Sequence, residues 1–314
     1  MNKRYASIDA IKGLMILLVV FGHTIYVGYC KNDLIHMRNL VYIFHMPIFL
    51  MVSGFLFKYE YNISASFYKM MRKLLIPYLL FYTLYLIILW AVSTLSIINT
   101  SNHVDSYNEF FELLFFKPEA SFWYLHSLII FSSSIFVSAF LDKVIKINSI
   151  IFVVVFSCVI QFIVSMFGFN FHLWVAFYLW LGFIFKLCMK DNFNYKSLFL
   201  LLLISICSFY IGRLEQFIIS IVILFFLFLL FERFNFQRLE FIGKNSFVIL
   251  VFHVFFLNVL KFFNSLFLSI DDSGILFVII SVITSVFGSI LVGILLDKVK
   301  LSNLTFGDKC CVKN

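Results

Sequence analysis

The first long apolar run of the chain, residues 10–29, reads AIKGLMILLVVFGHTIYVGY. A run of about 20 apolar residues is the length that an α-helix needs to cross the hydrocarbon core of a bilayer. Further apolar runs follow along the chain, and polar clusters separate them. The sequence therefore predicts an all-α integral membrane protein, a bundle of about ten transmembrane helices. The predicted spans are 10–29, 40–57, 74–97, 122–141, 147–168, 172–189, 197–212, 214–231, 246–267 and 274–296.

The composition supports this fold class. Of the 314 residues, 63% are hydrophobic and 13% are charged, whereas about a quarter of a soluble domain is charged. A soluble fold could not cover so much apolar side chain, and a disordered chain would carry more charge. The net charge of +8 is scattered singly, so we expect no nucleic-acid partner. The six cysteines form no C-x-x-C pair, and we expect no metal site and no disulfide framework.

The distribution of basic residues predicts the orientation. If the N-terminus is cytoplasmic, eighteen of the 24 Lys and Arg residues fall in inner segments and five in outer loops, with Lys12 inside the first span. Such an excess is typical of cytoplasmic loops. Both termini are therefore predicted to be cytoplasmic, and the acidic loop 98–121 to be external. Because no repeat or Gly/Ser linker divides the chain, we interpret residues 1–314 as a single membrane domain without an appended soluble domain.

The first span contains three ionisable residues, Asp9, Lys12 and His23. Such residues are costly in a bilayer and usually face a bundle interior or a water-filled cavity. Lys12 and His23 are eleven residues apart, which returns them to within about 20° on one helix face and separates them by about 16 Å along the axis. Asp9 falls near the same stripe. The pattern predicts a charged pair at the inner mouth and a deeper imidazole on the same side.

The second span supplies another histidine, His45, in the segment FHMPIF at residues 44–49. Counted from the inner ends of their helices at 1.5 Å per residue, His45 and His23 should share a depth. Ser53 lies eight residues after His45, so it should face similarly but nearer the cytoplasm. Pro47 is expected early in its helix, where a missing N–H costs little.

Each of these features also has a plain structural interpretation. A membrane-embedded histidine commonly forms an interhelical hydrogen bond, and Trp123 is typical of an interfacial aromatic anchor. Basic residues such as Lys69 are expected on the cytoplasmic side or against lipid headgroups, and Ser53 can serve helix packing. From the residues alone, the shared face of Lys12 and His23 supports a proton-coupled transporter as well as an enzyme.

The order of the motifs resembles a known family. The segments that carry the likeness are DAIKG (9–13), VVFGHT (19–24), FHMPIF (44–49), SGFLF (53–57), RKLLIPY (72–78), FWYL (122–125) and IGKNS (242–246) with His253. Together they closely resemble acyltransferase family 3, and more narrowly its fucose 4-O-acetylase-like branch. The resemblance extends over about residues 4–297.

The resemblance implies an integral-membrane O-acetyltransferase. Such a protein takes an acyl group, usually acetyl, from cytoplasmic acetyl-CoA. It passes the group to a sugar hydroxyl of a bacterial surface polysaccharide or of its lipid-linked precursor. The implied location is the plasma (cell inner) membrane, with multiple passes. The expected partners are acetyl-CoA as the donor substrate, a glycan or lipid-linked oligosaccharide acceptor, and membrane lipid; no permanently bound cofactor is expected.

The resemblance also implies a catalytic group. The basic residue and the histidine of the family motif fall on Lys12 and His23, with Lys in place of the commoner Arg. His23 would be the general base that deprotonates the acceptor hydroxyl. Asp9 would orient Lys12 or balance its charge. The acyl group would pass to the acceptor directly or through a covalent enzyme intermediate, with His45 and Ser53 as way-stations for the group or as residues that orient the acceptor or His23.

A second implied group binds the substrates. The basic element of the family falls on Lys69 and Arg72. With Lys73 and Lys12 it would form a cationic inner mouth that holds the phosphates of acetyl-CoA. Lys69 again replaces an Arg and lacks the guanidinium fork, so it would act as a point charge. The residues expected to bind or orient the substrate are Ser53, Trp123, Ser246 and His253.

Two alternatives remain beside the enzyme. A proton-coupled transporter or flippase of a glycan precursor would also place ionisable residues in the spans. Transporters more often have broken helices in an internal repeat, and no repeat is visible in the sequence. A degenerate family member with an assembly role is the other alternative, and the intact Lys12 and His23 pair argues against it.

Overall fold

The computed structural model describes residues 6–57, 63–94, 106–147, 149–169, 171–190 and 214–313. These residues form α-helices joined by short turns, with a 3₁₀ and a π segment and no β-strand among them. Within these ranges, seven helices are long and apolar enough to cross a membrane. The predicted all-α membrane fold is therefore confirmed. The count of ten spans stays a prediction, since the span 197–212 lies outside the described residues.

The helices are numbered here in chain order. They are α1 (Ala6–His23), α2 (Lys31–Leu56), α3 (Ile63–Met70), α4 (Ile76–Thr94), α5 (Tyr107–Phe115), α6 (Phe122–Ile145), α7 (Ile150–Met166), α8 (Leu173–Lys190), α9 (Leu214–Arg233), α10 (Gln237–Lys244), α11 (Ser246–Leu260), α12 (Asn264–Leu268), α13 (Ile275–Lys298) and α14 (Ser302–Thr305). A π-helical turn, Met71–Leu75, joins α3 to α4, and a 3₁₀ turn, Lys261–Phe263, joins α11 to α12.

The chain forms two compact units. The first unit comprises residues Met1–Phe57, Phe177–Val299 and Cys310–Asn314, and the second comprises Lys58–Ala176 and Lys300–Lys309. In the first unit, α1 packs against α2, α9, α10, α11 and α13. In the second unit, α6 packs against α3, α4 and α7. The helix that carries the predicted catalytic residues is thus the centre of the first unit.

Glycines let helix backbones touch inside the first unit. A Cβ atom on Gly243 of α10 would lie 1.7 Å from the carbonyl oxygen of Asp9, and one on Gly13 would also strike the α10 backbone. Gly54 of α2 and Gly182 of α8 make a second such contact. Small residues at these positions permit the close backbone approach that stabilises helix pairs in membranes.

The first predicted span, 10–29, is wrong at both ends, because α1 begins at Ala6 and ends at His23. After His23 the chain turns at Gly28, whose φ of +81° lies in the left-handed region. The amide of Tyr29 then donates to the carbonyl oxygen of Asp272 at 3.1 Å. Pairing with this distant loop, which hydropathy does not reveal, ends the helix. His23 is therefore the last residue of α1.

The second predicted span, 40–57, is too short. Helix α2 begins at Lys31, because the largely polar residues 31–39 continue the helix beyond the apolar run. Pro47 consequently lies in the helix interior and not in the first turn, so that expectation is wrong. Its missing N–H removes the bond that the Ile43 carbonyl oxygen would receive in a regular helix.

The third predicted span, 74–97, also starts too late. The helical path begins at Ile63 and passes through the π-helical turn before α4. Three short helices, α5, α10 and α14, are absent from the predicted set because each is shorter than a span. The remaining described spans match their helices to within a few residues, apart from the C-terminal end of α6. The predicted span 246–267 corresponds to the continuous helical path Ser246–Leu268, which comprises α11, the 3₁₀ turn and α12.

Candidate active site

Two histidines from opposite ends of the sequence meet in the first unit. The ring of His23, at the end of α1, lies 5.4 Å from the ring of His253 in α11, measured between centroids. His253 is completely buried, and His23 is half-buried. Sequence reasoning placed His253 among the substrate-orienting residues and paired His23 with His45. The structure adds the His23–His253 neighbourhood, which helix periodicity could not reveal.

The hydrogen bonding of His253 leaves one ring nitrogen as an acceptor. Its Nδ1 lies 2.8 Å from the carbonyl oxygen of Ile249. A carbonyl oxygen only accepts, so Nδ1 carries the hydrogen and Nε2 of the neutral ring holds a lone pair. Within the described part of the chain, Nε2 is buried and has no hydrogen-bond partner. Since most buried polar atoms are paired, this nitrogen is a notable acceptor beside His23.

Tyr42, a residue that sequence reasoning missed, contacts both His45 and the end of α1. The Tyr42 hydroxyl donates to the carbonyl oxygen of Gly22 at 2.9 Å, and its ring lies 4.9 Å from that of His45. His45 is buried, and its Nδ1 bonds the Val41 carbonyl oxygen at 2.7 Å. Tyr42 lies three residues before His45, so the two side chains share a helix face. This spacing is the feature of the sequence that could have identified Tyr42. His45 is thus held beside the residue that precedes His23.

A charged pair occupies the other half of α1. The Nζ atom of Lys12 lies 3.9 Å from an Asp9 carboxylate oxygen, and the Asp9 side chain is only 7% exposed. Asp9 also belongs to the turn that touches Gly243. The backbone contact of α1 with α10 therefore buries the carboxylate, and Lys12 lies beside it. The pairing agrees with the expected role of Asp9 in balancing the charge of Lys12.

The two predicted serines occupy helical positions of different kinds. The Ser53 hydroxyl donates to the Phe49 carbonyl oxygen at 2.7 Å, one turn earlier in α2. Ser246 is the buried first residue of α11, seven residues before His253 and about 10 Å from it along the helix axis. Their roles toward a substrate stay predictions.

A family model described as an acyltransferase domain matches residues 5–294 of the chain. The chain belongs to acyltransferase family 3. The nodulation protein NolL of Sinorhizobium fredii (strain NBRC 101917 / NGR234) is 37% identical over 59 residues. That stretch is 18% of this chain and 16% of NolL, so the likeness covers a small part of each protein. No solved structure matches the chain.

The basic element of this family 3 acyltransferase lies in the second unit. Lys69 is near the end of α3, and Arg72 and Lys73 lie in the π-helical turn Met71–Leu75. Short π segments in helices frequently occur at functional sites. The turn was not predictable, because the residues around it form good α-helices.

The Arg72 guanidinium is held by neutral oxygens. Its Nη1 donates to the Tyr68 hydroxyl at 2.8 Å, and its Nη2 donates to the backbone oxygen and Oδ1 of Asn303 at 2.5 and 3.1 Å. Lys73, in contrast, forms an ion pair of 2.5 Å with Asp308. Asn303 and Asp308 come from the C-terminal segment, which no sequence motif identifies as a partner of the basic element. Lys12 belongs to the first unit, so a joint cationic mouth stays a prediction.

Trp123 of the acyltransferase lies in a group of aromatic side chains in the second unit. Its ring is 6.0 Å from that of Trp174. Three residues later, His126 is buried, and its Nε2 lies 3.0 Å from the Phe115 carbonyl oxygen. The packing is compatible both with an aromatic anchor and with the predicted orienting role of Trp123.

Proposed function

We propose that this chain is an O-acetyltransferase of the cell inner membrane, from the fucose 4-O-acetylase-like branch of its family. It would transfer an acetyl group from cytoplasmic acetyl-CoA to a sugar hydroxyl of a bacterial surface polysaccharide or its lipid-linked precursor. The observation that carries the proposal is the pairing of the half-buried His23 with the buried His253 in a family 3 acyltransferase.

The histidine pair suits acyl transfer to a hydroxyl. The acceptor oxygen attacks the thioester carbonyl carbon, its proton passes to a base, and the C–S bond breaks to release CoA as the thiol. An imidazole is suited to hold that proton at neutral pH. His253 Nε2 can accept the N–H of His23, so the other nitrogen of His23 presents its lone pair to the hydroxyl. His253 would then fix the tautomer of the general base.

The donor would be bound through its phosphates. Arg72 presents a guanidinium, the group that suits phosphate oxygens best, and Lys69 adds a point charge. In the first unit, Asp9 would keep the Lys12 ammonium oriented. His45, held next to Gly22 by Tyr42, would orient the acceptor or His23.

The test replaces one histidine at a time. His23→Ala and His23→Gln should both lower O-acetylation by about 10²–10⁴-fold, since a positioned base contributes that much and an amide accepts no proton at neutral pH. His253→Gln should retain partial activity, because an amide oxygen can still accept the His23 N–H. The measurement is the O-acetyl content of the surface glycan, normalised to the amount of each variant in the membrane.

His36→Gln is the matched control, because His36 is an exposed histidine of α2 and should be fully active. Full activity of His23→Gln would remove the general-base role. If the His23 variants lose the glycan from the surface, instead of displaying it without acetate, the result would favour a transporter or flippase.

A further inference from the structure

A C-terminal segment, residues 301–308, is docked against the basic element in the second unit. It includes the short helix α14 and lies beyond residue 294, where the family match ends. Phe306 is buried, with its ring 5.3 Å from that of Phe81. A Cβ atom on Gly307 would lie 2.9 Å from the Arg72 carbonyl oxygen. The segment is therefore a packed part of the unit and a feature additional to the family match.

The C-terminal segment offers different kinds of acceptor to the neighbouring cations Arg72 and Lys73. Asn303 offers Arg72 only neutral oxygens, and Arg72 forms no ion pair within the described residues. Asp308 offers Lys73 a carboxylate at 2.5 Å. Neutral acceptors fix a guanidinium in place without cancelling its charge, whereas the carboxylate largely cancels the charge of Lys73 toward an anion.

The donor count of Arg72 leaves capacity for a ligand. A guanidinium has five N–H groups, and the bonds to Tyr68 and Asn303 use three of them. Two N–H groups remain for an anion, and the positive charge remains with them. Arg72 is thus held in position and able to bind a phosphate.

We propose that Asn303 is a positioning residue that orients Arg72 toward the phosphates of acetyl-CoA. In the same segment, Asp308 holds Lys73 in an ion pair and so prevents its ammonium from binding those phosphates. This inference rests on the proposed function, in which acetyl-CoA is the donor. It assigns the phosphate contact of the turn to Arg72, and it makes the C-terminal segment a determinant of donor affinity.

The decisive variant is Asn303→Asp in the full chain, purified into lipid nanodiscs. Aspartate keeps a hydrogen-bond acceptor and forms a charge-assisted bond with Arg72, so docking of the segment and the Tm should be retained or improved. The same carboxylate cancels the Arg72 charge, so the Kd for CoA, measured by calorimetry, should rise about tenfold. The rate at saturating acetyl-CoA should be unchanged, because the contact is the same in the ground and transition states.

Three further variants complete the set. Asn303→Ala should raise the Kd about threefold and also lower the Tm, since one hydrogen bond to a charged group is lost. Asp308→Asn frees Lys73 and should lower the Kd about threefold. Asn32→Asp adds the same charge at an exposed position of α2, and as the matched control it should leave the Kd unchanged.

The outcomes separate this inference from the proposed function. An Asn303→Asp variant that binds CoA like the wild type would overturn the inference, as would one that loses affinity and Tm together. If the folded wild type binds no CoA, the proposed donor is wrong. If the wild type binds CoA and Arg72→Gln weakens it while Asn303→Asp does not, only the role of Asn303 is wrong.

Discussion

The histidine pair of the first unit and the basic turn of the second unit are built in opposite ways. His253 is completely buried on a regular helix, whereas the Lys73 side chain is 41% exposed on a π-helical turn. Close helix contacts fix the first site, and a C-terminal segment covers part of the second. A proton transfer needs a dry and rigid setting, and a phosphate must enter and leave. The difference fits chemistry at the histidines and donor binding at the turn.

The comparison breaks most severely if the contact of α1 with α10, in the half of α1 away from His23, is changed. Gly243→Ala places a methyl group 1.7 Å from the Asp9 carbonyl oxygen, which neither backbone can accommodate without moving. We expect a loss of about 3 kcal/mol or more in the free energy of unfolding and little folded protein. The yield and Tm of the purified variant measure this effect.

Gly168→Ala is the control, since a Cβ atom there meets nothing within 4 Å. Its positive φ costs only about 1 kcal/mol. A Gly243→Ala protein with normal Tm and activity would show that α1 and α10 do not need their close contact.

A change of salt should separate the two sites without any mutation. Exposed charges are screened as ionic strength rises, and buried groups much less. Between about 0.05 and 0.5 M potassium chloride, the KM for acetyl-CoA should rise several-fold while kcat stays constant. Steady-state kinetics at saturating acceptor measure both constants. A fall in kcat with an unchanged KM would contradict the assignment of chemistry to the histidines and of donor binding to the basic turn.

The smallest expected effect concerns the turn at Asp271, which pairs with the segment that follows His23. Asp271 accepts the Ser273 hydroxyl at 2.8 Å and the Leu276 amide at 2.9 Å, and the next residue, Asp272, accepts the Tyr29 amide. These donors, the Ser273 hydroxyl first, hold the pKa of the Asp271 carboxyl below its ordinary value. A carboxylate with a lowered pKa adds stability above its unfolded pKa, and this stability is lost as the pH falls through the folded pKa.

Asp271→Asn should therefore lower the Tm slightly at pH 7, and the difference from the wild type should shrink as the pH falls below the ordinary Asp pKa of about 3.9. Asp272→Asn is the matched control, because the exposed Asp272 takes part in the turn through its backbone oxygen. The Tm of each protein across this pH range is the measurement. An equal Tm for Asp271→Asn and wild type at pH 7 would show that the capping contacts do not support the loop.

The sequence was sufficient to predict the features of the structure that depend on residues close together in the chain. The apolar runs 214–231 and 274–296 became α9 and α13 almost unchanged, because a continuous apolar run of about 20 residues is by itself enough to indicate a membrane helix. The motifs around His23 and His253 identified the family, and the family match confirms it.

Features that depend on distant parts of the chain were not predictable. The contact of His23 with His253 joins residues 230 positions apart, and helix periodicity describes only one helix at a time. The end of α1 depends on a loop near Asp272, and the orientation of Arg72 depends on Asn303. Within α2, the largely polar residues 31–39 extend the helix beyond the apolar run, and hydropathy does not detect this extension.

The contact of Gly13 with Gly243 also has a consequence for biosynthesis. At about 5–20 residues per second, translation supplies α10 roughly 10–45 s after α1 has left the ribosome. Throughout that interval α1 must stay in the membrane with a carboxylate and an ammonium but without the helix that later covers them. The proximity of Lys12 to Asp9 gives the nascent helix partial internal neutralisation. The early pairing would let the translocon release the helix long before its final partner exists.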